Sequence, residues 1–281
     1  LLDLPITTEN IEKIEILKGS GSRYFGANAL GGVINIIPSI KDGNILSIKT
    51  SIANNNSYFG TVSSSSILGS TNHFISLSGA KSDGYRYNTD FKNYSAFYKF
   101  SLLIDSLNFF VTSGFSNQKF GANSFYSSYY PDQWENTKST IFIAGMSKKN
   151  FDIRFFWRKH NDEYLLFRYQ PEKYRNNHLK NYLGVISKYS NVTNFGLFTL
   201  GIETGYDEIE SNNLGNHIRK RINLFFDDNI AINQNIIISF GSGISIFSDW
   251  KPEYSPGLDI SCKFFDNFIS YLAFNTSYRI P

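Results

Sequence analysis

The sequence predicts an all-β transmembrane barrel, of which about 13 antiparallel strands are present, preceded by a small mixed α/β unit. Three observations support this prediction. Aromatic residues reach 17% while charged residues fall to 18%, below the roughly 25% usual in soluble domains. Segments of about 9 to 13 residues, rich in Ile, Phe, Tyr, Val, Thr and Ser, recur along the chain and match the length of a tilted membrane strand, about 9 to 11 residues, rather than that of a globular strand. Short and long connections alternate between these segments.

Composition also excludes several classes of protein. Apolar runs fall well short of the ~18 residues that a membrane helix needs, so any membrane span is expected to be a strand. The net charge of +3 is scattered rather than clustered, and we predict no nucleic-acid partner. The single cysteine, Cys262, excludes an intrachain disulfide. The four histidines have no close partners in sequence, so we predict no metal site and no cofactor; they are His73, His160, His178 and His217.

The first 40 residues form the α/β unit in this interpretation. The segment "IEKIEILKG" reads as a strand, "SRYFGANALGG" as a short helical or irregular turn, and "VINIIP" as a second strand that Pro38 ends. The remaining residues, 41–281, form the barrel. The chain ends show neither a signal peptide nor a terminal cap, and we expect an internal fragment of a longer protein.

We predict thirteen barrel strands from residue 45 onward. They lie at about 45–53, 57–67, 73–81, 93–104, 107–118, 138–147, 151–161, 178–189, 195–207, 217–227, 235–247, 254–264 and 268–280. Alternation is clearest in "FDIRFFWRKH", where Phe151, Ile153 and Trp157 share one face and Arg154 and Arg158 the other. Alternation alone fits both a soluble sandwich and a barrel. Strand length favours the barrel, because strands of globular proteins cluster near 5 to 6 residues.

The connections favour the same choice. Long connections are predicted at 82–92, 119–137, 162–177, 208–216 and 248–253, and short ones fall between them. Tight turns on one rim and long loops on the other are typical of outer-membrane barrels. The first connection, 54–56, is short where a long one is expected. Aromatic residues near strand ends suit interfacial girdles or, alternatively, cross-strand pairs; examples are Tyr58, Phe59, Tyr94, Phe97, Tyr182, Tyr189, Tyr271 and Tyr278.

The glycine-rich stretch after the first strand does not fit a nucleotide site. Gly19 and Gly21 are followed by Tyr24 where a dinucleotide fingerprint needs glycine. Gly21 and Gly26 have the spacing of a P-loop, but the Lys and the Ser or Thr that bind phosphate and magnesium are replaced by Ala27 and Asn28. We therefore exclude phosphate binding by this stretch.

Residues 11–37, "IEKIEILKGSGSRYFGANALGGVINII", instead resemble the C-terminal part of the plug domain of TonB-dependent outer-membrane receptors. The matching motif residues are Gly19, Arg23, Tyr24, Gly26, Asn28, Gly31, Gly32 and Asn35. The sequence departs from the family at Ser20, which is often Pro, and at Lys18, which is often Arg and keeps the charge. The resemblance implies that residues 1–40 are the C-terminal part of a plug, inside a barrel of about 22 strands.

The family resemblance also implies a function. The protein would lie in the outer membrane of a Gram-negative cell, bind a scarce ligand outside and admit it to the periplasm. Energy would come from a TonB-ExbB-ExbD complex, whose contact segment in this family lies outside this chain. Outer-membrane lipid would surround the barrel, and the leading ligands are cobalamin and ferric siderophores.

A long loop carries a further match. Residues 120–139, "FGANSFYSSYYPDQWENTKS", are similar to a segment of Bacteroidetes-type receptors that include relatives of cobalamin receptors. Aromatic side chains suited to a bulky ligand are predicted there and in the preceding long loop: Phe125, Tyr126, Tyr129, Tyr130, Trp134, Tyr85 and Tyr87. A loop folded on its own aromatic residues is the alternative.

A movable plug is expected to contact the barrel through weak polar bonds. The candidates for this contact are Glu12, Lys13, Glu15 and Lys18 on the plug and Arg154, Arg158, Arg219 and Arg221 on the barrel. Surface pairs of this kind contribute about 0.2 to 1 kcal/mol each. Competing interpretations are a passive porin, an outer-membrane barrel enzyme and a secreted sandwich domain. No G-x-S-x-G motif appears in the sequence, and we predict no enzyme.

Overall fold

The computed structural model describes residues 4–27, 29–38, 43–194, 196–265 and 267–280. They form a two-stranded sheet and a 13-stranded antiparallel sheet in which each strand pairs with its sequence neighbour. The small unit contains β1 (Ile11–Lys18), α1 (Ser22–Phe25) and β2 (Gly32–Pro38). The large sheet contains β3 (Ile45–Ala53), β4 (Ser57–Leu68), β5 (Thr71–Ser82), β6 (Phe91–Ile104), β7 (Leu107–Gly121), β8 (Trp134–Lys148), β9 (Phe151–Leu165), β10 (Arg175–Val192), β11 (Gly196–Ser211), β12 (Gly215–Ala231), β13 (Ile236–Phe247), β14 (Glu253–Phe265) and β15 (Phe268–Asn275).

The N-terminal unit has the predicted strand, turn and strand. A single 3-10 turn, Thr8–Asn10, precedes β1, and β1 pairs with β2 in antiparallel register from Lys18↔Gly32 to Ile11↔Pro38. The predicted domain boundary at residues 40 and 41, and the motif residue Asn28, lie outside the described residues. Within the described ranges, no helix has the length and apolar character needed to cross a membrane.

All thirteen predicted strands are present, and most are longer than predicted. For example, β10 runs from Arg175 to Val192 rather than over 178–189. The long connection predicted at 208–216 was wrong, because β11 and β12 stay paired up to Ser211↔Gly215 and leave only 212–214 as a turn. The ends of these two strands are polar, so the alternation of apolar and polar residues does not reveal that they are paired.

The two faces of the large sheet differ in polarity and exposure. On β12, the outward side chains Ile222 and Leu224 are both 43% exposed. The alternate residues Asn223 and Asp227 point inward and are 2% and 0% exposed. A soluble sandwich would bury its apolar face and expose its polar one. This sheet does the reverse, as the wall of a membrane barrel requires.

Aromatic residues lie at both edges of the outward apolar band. Phe142, Trp157, Leu183 and Tyr206 form one cross-strand row toward the long loops. Phe151 and Tyr189 lie toward the short turns, with ring centroids 5.0 Å apart. The girdle prediction was wrong for Phe97, which is 2% exposed and packs inside against Phe74, and for Tyr182, which bonds Glu203 on the inner face. It was also wrong for Tyr278, which follows the end of β15 and packs inside against Phe247.

Candidate functional site

The α1 turn of the N-terminal unit rests against the inner face of β12, β13 and β14. Asn223 Nδ2 donates a hydrogen bond of 3.3 Å to the backbone carbonyl of Tyr24. A Cβ atom at Gly243 would lie only 2.6 Å from the carbonyl oxygen of Arg23, so glycine is required for the two backbones to approach this closely. Gly26 ends the turn at φ 66°, a left-handed conformation that glycine adopts without strain.

Arg23 anchors this turn to the wall through two carboxylates. Its Nε lies 3.2 Å from Asp227 Oδ1 and its Nη2 lies 2.7 Å from Asp259 Oδ2. The Arg23 side chain is 11% exposed and that of Asp227 is 0% exposed. Asn275 Oδ1 accepts a further bond from Nη1 at 3.4 Å. One guanidinium therefore ties the plug turn to two barrel strands, β12 and β14, which lie on either side of β13.

Tyr24 completes this contact. Its ring packs edge-on against Phe225 on the wall with a centroid distance of 5.8 Å. Burial, together with a hydrogen bond to the Asp227 carboxylate, raises the pKa of the Tyr24 phenol above its usual value. The phenol therefore stays protonated and donates to a carboxylate that Arg23 also neutralises.

Most of the predicted plug and barrel contact candidates pair elsewhere, whereas Glu12 interacts electrostatically with Lys99 on β6. Glu15 accepts bonds from Lys13 and Asn35 within the plug unit, and Glu12 and Lys18 are exposed on β1. The wall arginines pair along the wall in three cases: Arg154 with Asp152, Arg219 with Asp249 and Arg221 with Glu203. Arg23 was predicted as a motif residue, but its partners Asp227 and Asp259 were not predicted. In the sequence, these two carboxylates are marked only by the small residues that alternate with them on the inner face of the wall.

A cavity of about 1290 Å³ opens beside the plug turn. Ala27 of the plug forms part of its lining, and the rest comes from β9 to β13, from the connections after β11 and β13 and from the end of the described chain. Cationic side chains dominate this lining: Arg158, Lys180, Arg219, Arg221 and Arg279, with His160 and His217. The acidic lining residues are Asp207, Glu208 and Asp249, and Asp249 is paired with Arg219 at 2.8 Å. The cavity therefore presents a net positive surface.

Three long connections, 83–90, 122–133 and 166–174, join above this end of the sheet. Arg168 donates to Asp90 through two nitrogens at 2.5 and 2.9 Å and to Asn88 Oδ1 at 2.8 Å. Asn88 in turn donates to the carbonyls of Pro131 and Gln133 at 2.8 and 2.7 Å. Gln133 is fully buried. We call these residues the three-loop cluster.

The predicted ligand-binding aromatics fall into two groups on this cluster. Tyr126 packs on Tyr164 and Tyr130 on Phe167, with ring centroids 5.3 and 5.7 Å apart. Phe125, Tyr129 and Tyr85 are 70%, 87% and 76% exposed, with the Arg86 guanidinium 5.5 Å above the Tyr85 ring. Trp134 begins β8 and is partly buried. Some of the predicted aromatic side chains therefore pack within the loops, whereas others are exposed to solvent.

Tyr87 connects two of the loops. Its hydroxyl donates to Asp132 Oδ1 at 2.5 Å, and this hydrogen bond raises the pKa of Tyr87 to about 12. The Tyr87 hydroxyl therefore stays protonated, and can donate to Asp132, throughout the neutral pH range. Over the described ranges, no group of three or more His, Cys, Asp or Glu side chains is arranged to hold a metal ion.

Arg168→Ala is expected to lower the free energy that holds the three-loop cluster together by about 1 to 2 kcal/mol. The effect is modest because Arg168 and Asp90 are both partly exposed to water. The Arg168 guanidinium lowers the pKa of Asp90 below its ordinary value of 3.8. This stabilisation is thus complete above pH 3.8 and is lost as the pH falls through the lowered pKa. Amide hydrogen exchange of residues 122–133 measures the change.

Arg175→Ala is the matched control, because Arg175 pairs with Glu163 at 2.7 Å on the same rim but is 51% exposed. Its removal is expected to leave exchange in the cluster unchanged. Equal protection in wild type and Arg168→Ala would show that the loops do not depend on this arginine.

No protein-family model and no curated protein matches the sequence. Solved structures do match. The siderophore receptor PirA from Pseudomonas aeruginosa is 17% identical with a TM-score of 0.76, covering 98% of this chain and 51% of that one. The FrpB iron transporter from Neisseria meningitidis is 12% identical with a TM-score of 0.79, covering 97% and 53%. The copper transporter OprC is 11% identical with a TM-score of 0.80, covering 98% and 51%.

The chain spans about half the length of these three structures. The match includes both the plug turn and the 13 antiparallel wall strands, since it covers nearly the whole chain. The chain therefore has the plug-and-barrel fold of the TonB-dependent outer-membrane receptors that residues 11–37 resemble.

Proposed function

We propose that the chain is the plug and barrel part of a receptor that takes up an anionic metal chelate across the outer membrane of a Gram-negative cell, energised by TonB-ExbB-ExbD. The observation that carries this proposal is the net cationic cavity that the plug residue Ala27 and the inner wall line together. A ligand bound there would touch the plug directly. Movement of the plug would then release the ligand toward the periplasm.

The charge of the cavity favours a ferric siderophore over cobalamin. Iron complexes of catecholate or hydroxycarboxylate ligands are anions, and a cleft lined by one sign of charge raises the local concentration of ligands of opposite sign. Siderophore and iron transport, named for PirA and FrpB, agree with this choice. Cobalamin is supported by the similarity of residues 120–139 alone.

The plug contact argues against a passive porin. A porin barrel leaves an aqueous channel open, whereas here Arg23 and Tyr24 fasten a turn of the N-terminal unit across the inner wall. The exposed rings of Phe125 and Tyr129 would receive the ligand first, since the aromatic rings of a catecholate chelate can pack on aromatic side chains. An enzyme is not proposed, because the matched structures are receptors and transporters.

Uptake of radiolabelled ferric siderophores by cells carrying the receptor tests the ligand class. Arg158→Glu with Lys180→Glu reverses two lining charges and is expected to lower siderophore binding at least about tenfold, the equivalent of about 1.4 kcal/mol. The matched control is Lys159→Glu, because Lys159 alternates with Arg158 and points outward from the same strand.

The proposed ligand class would be rejected if the double variant bound ferric siderophores as well as wild type does. It would equally be rejected if labelled cobalamin were taken up and every ferric siderophore tested were not. A folding defect is separated from a binding defect by heat modifiability of each variant on a gel.

A further inference from the structure

The N-terminal unit contacts the wall a second time, at β6 and β7, away from the α1 turn. Lys99 Nζ on β6 donates a hydrogen bond of 2.7 Å to the backbone carbonyl of Pro38. Pro5 is fully buried and lies on Gly114 of β7, where a Cβ atom would be only 2.8 Å from Pro5 Cγ. Phe97, which pairs with Gly114 across the two strands, is 2% exposed. We call these residues the hinge contact.

The hairpin of β1 and β2 joins the hinge contact to the α1 turn. Ile11 pairs with Pro38 at one end of this hairpin, and Lys18 pairs with Gly32 at the other. The hinge contact is at the first end, and α1 follows the second. The 8 residues of β1, at about 3.3 Å each, separate the two ends by about 25 Å. The hairpin therefore spans from a contact on β6 and β7 to a contact on β12, β13 and β14.

The two ends of the hairpin are attached in different ways. Pro38 is joined to Ile45, the first residue of β3, through residues 39–44, and this covalent connection limits its distance from the wall to at most about 25 Å. The α1 turn is held by side-chain bonds, chiefly the ion pairs from Arg23 to β12 and β14. We call these ion pairs the latch contact. Breaking the latch contact frees the turn, whereas the covalent connection and the hinge contact retain the other end.

We propose that the N-terminal unit moves as a hinged body, with Pro5 and Pro38 staying on β6 and β7 while the α1 turn swings away from β12, β13 and β14. A few residues at the end of an element are enough to absorb such a rotation. Ala27, just beyond α1, lines the cationic cavity, so the swing opens this cavity toward the rim of the short turns. The inference rests on the proposed function for the anionic chelate that would pass through the opening.

Two engineered disulfides, each in a Cys262→Ser background, test which end moves. Pro5→Cys with Gly114→Cys ties the hinge contact, because a Cβ atom at Gly114 is 2.8 Å from Pro5 Cγ. Gly26→Cys with Ser245→Cys ties the α1 turn to β13, because a Cβ atom at Gly26 is 3.3 Å from Ser245 Oγ. Both distances are within the reach of a disulfide. The reduced form of each variant is its own control for folding.

Uptake of radiolabelled ferric siderophores is the first measurement. The variant with the oxidised hinge pair is expected to take them up at the wild-type rate. The variant with the oxidised latch pair is expected to take them up at least about tenfold more slowly than its reduced form does, with surface binding unchanged, because the conformational step is blocked. Normal uptake with the latch pair oxidised, or blocked uptake with the hinge pair oxidised, would overturn the inference.

A second measurement does not depend on the ligand. Arg23→Ala breaks the latch contact, and entry of a large hydrophilic antibiotic then reports the open state. In this background the oxidised hinge pair is expected to leave the entry unchanged, and the oxidised latch pair is expected to abolish it until a reductant is added. Entry with both pairs oxidised, or with neither, would contradict a hinged motion. The expected antibiotic pattern without siderophore uptake by wild type would reject the proposed ligand and support the hinge.

Discussion

Arg23→Ala is expected to release the plug turn from the barrel wall, at a cost of about 3 to 5 kcal/mol in the free energy of plug docking. The size of the effect follows from burial. Asp227 is 0% exposed, and its ion pair at 3.2 Å is with Arg23. Removing the guanidinium leaves a desolvated carboxylate without its compensating charge, and the same change breaks the 2.7 Å pair to Asp259.

Two readouts follow the release of the plug. Amide exchange of Tyr24, Phe25 and Gly26, which bond within the turn at 2.9 to 3.1 Å, is expected to rise sharply. Cells carrying the variant should also become sensitive to large hydrophilic antibiotics that a closed barrel excludes. Lys13→Ala is the control, because the Lys13 to Glu15 pair is 62% and 43% exposed and is expected to contribute little. Unchanged exchange in Arg23→Ala would refute the anchoring role.

Leu224→Arg is expected to destabilise the folded barrel by about 2 to 4 kcal/mol, the cost of a cation at the midplane of the lipid face of a barrel. Leu224 is outward on β12 and 43% exposed between the outward residues Ile222 and Phe226. In water, the same substitution of an exposed side chain would cost almost nothing. The prediction therefore separates a membrane barrel from a soluble β-protein.

The depth control is Ile218→Arg on the same strand and face. Ile218 is 53% exposed and lies six residues nearer the long-loop rim, about 20 Å along the strand. Near the interface the cost of the cation falls to about 0 to 1 kcal/mol. Urea titration of the heat-modifiable folded form measures both variants. Equal effects at the two positions would contradict the membrane assignment.

The strand pattern of the barrel was predictable because alternate residues of a membrane strand face lipid and lumen and therefore differ in polarity. "FDIRFFWRKH" separates lipid-facing Phe151 and Trp157 from lumen-facing Arg154 and Arg158, and the structure keeps that division. The strand ends were less predictable. Above the apolar band both faces of β10 and β11 are polar, so the pairing of His178 with Ser211 carries no hydrophobic signal.

The contact between plug and wall was not predictable from the sequence. Arg23 contacts Asp227 and Asp259 because the sheet curves around the plug turn. That curvature depends on the register of many strand pairs together. The abundant wall arginines were predicted as contacts because cations are conspicuous in sequence. In the structure, Arg219 pairs with Asp249 in the connection after β13, and Arg221 pairs with Glu203 on β11. Gly243 and Gly257 leave the space that Arg23 occupies, and these two glycines are the sequence feature that indicates the position of the contact.

TonB-energised uptake of a ferric siderophore is the decisive measurement for the proposed function. Cells carrying the receptor would be supplied with radiolabelled ferric siderophores, with and without a functional TonB complex, and cell-associated iron would be measured over time. We expect accumulation that requires both the receptor and TonB, while surface binding persists without TonB. Accumulation of equal rate in the TonB-deficient cells would contradict it and would indicate a passive channel.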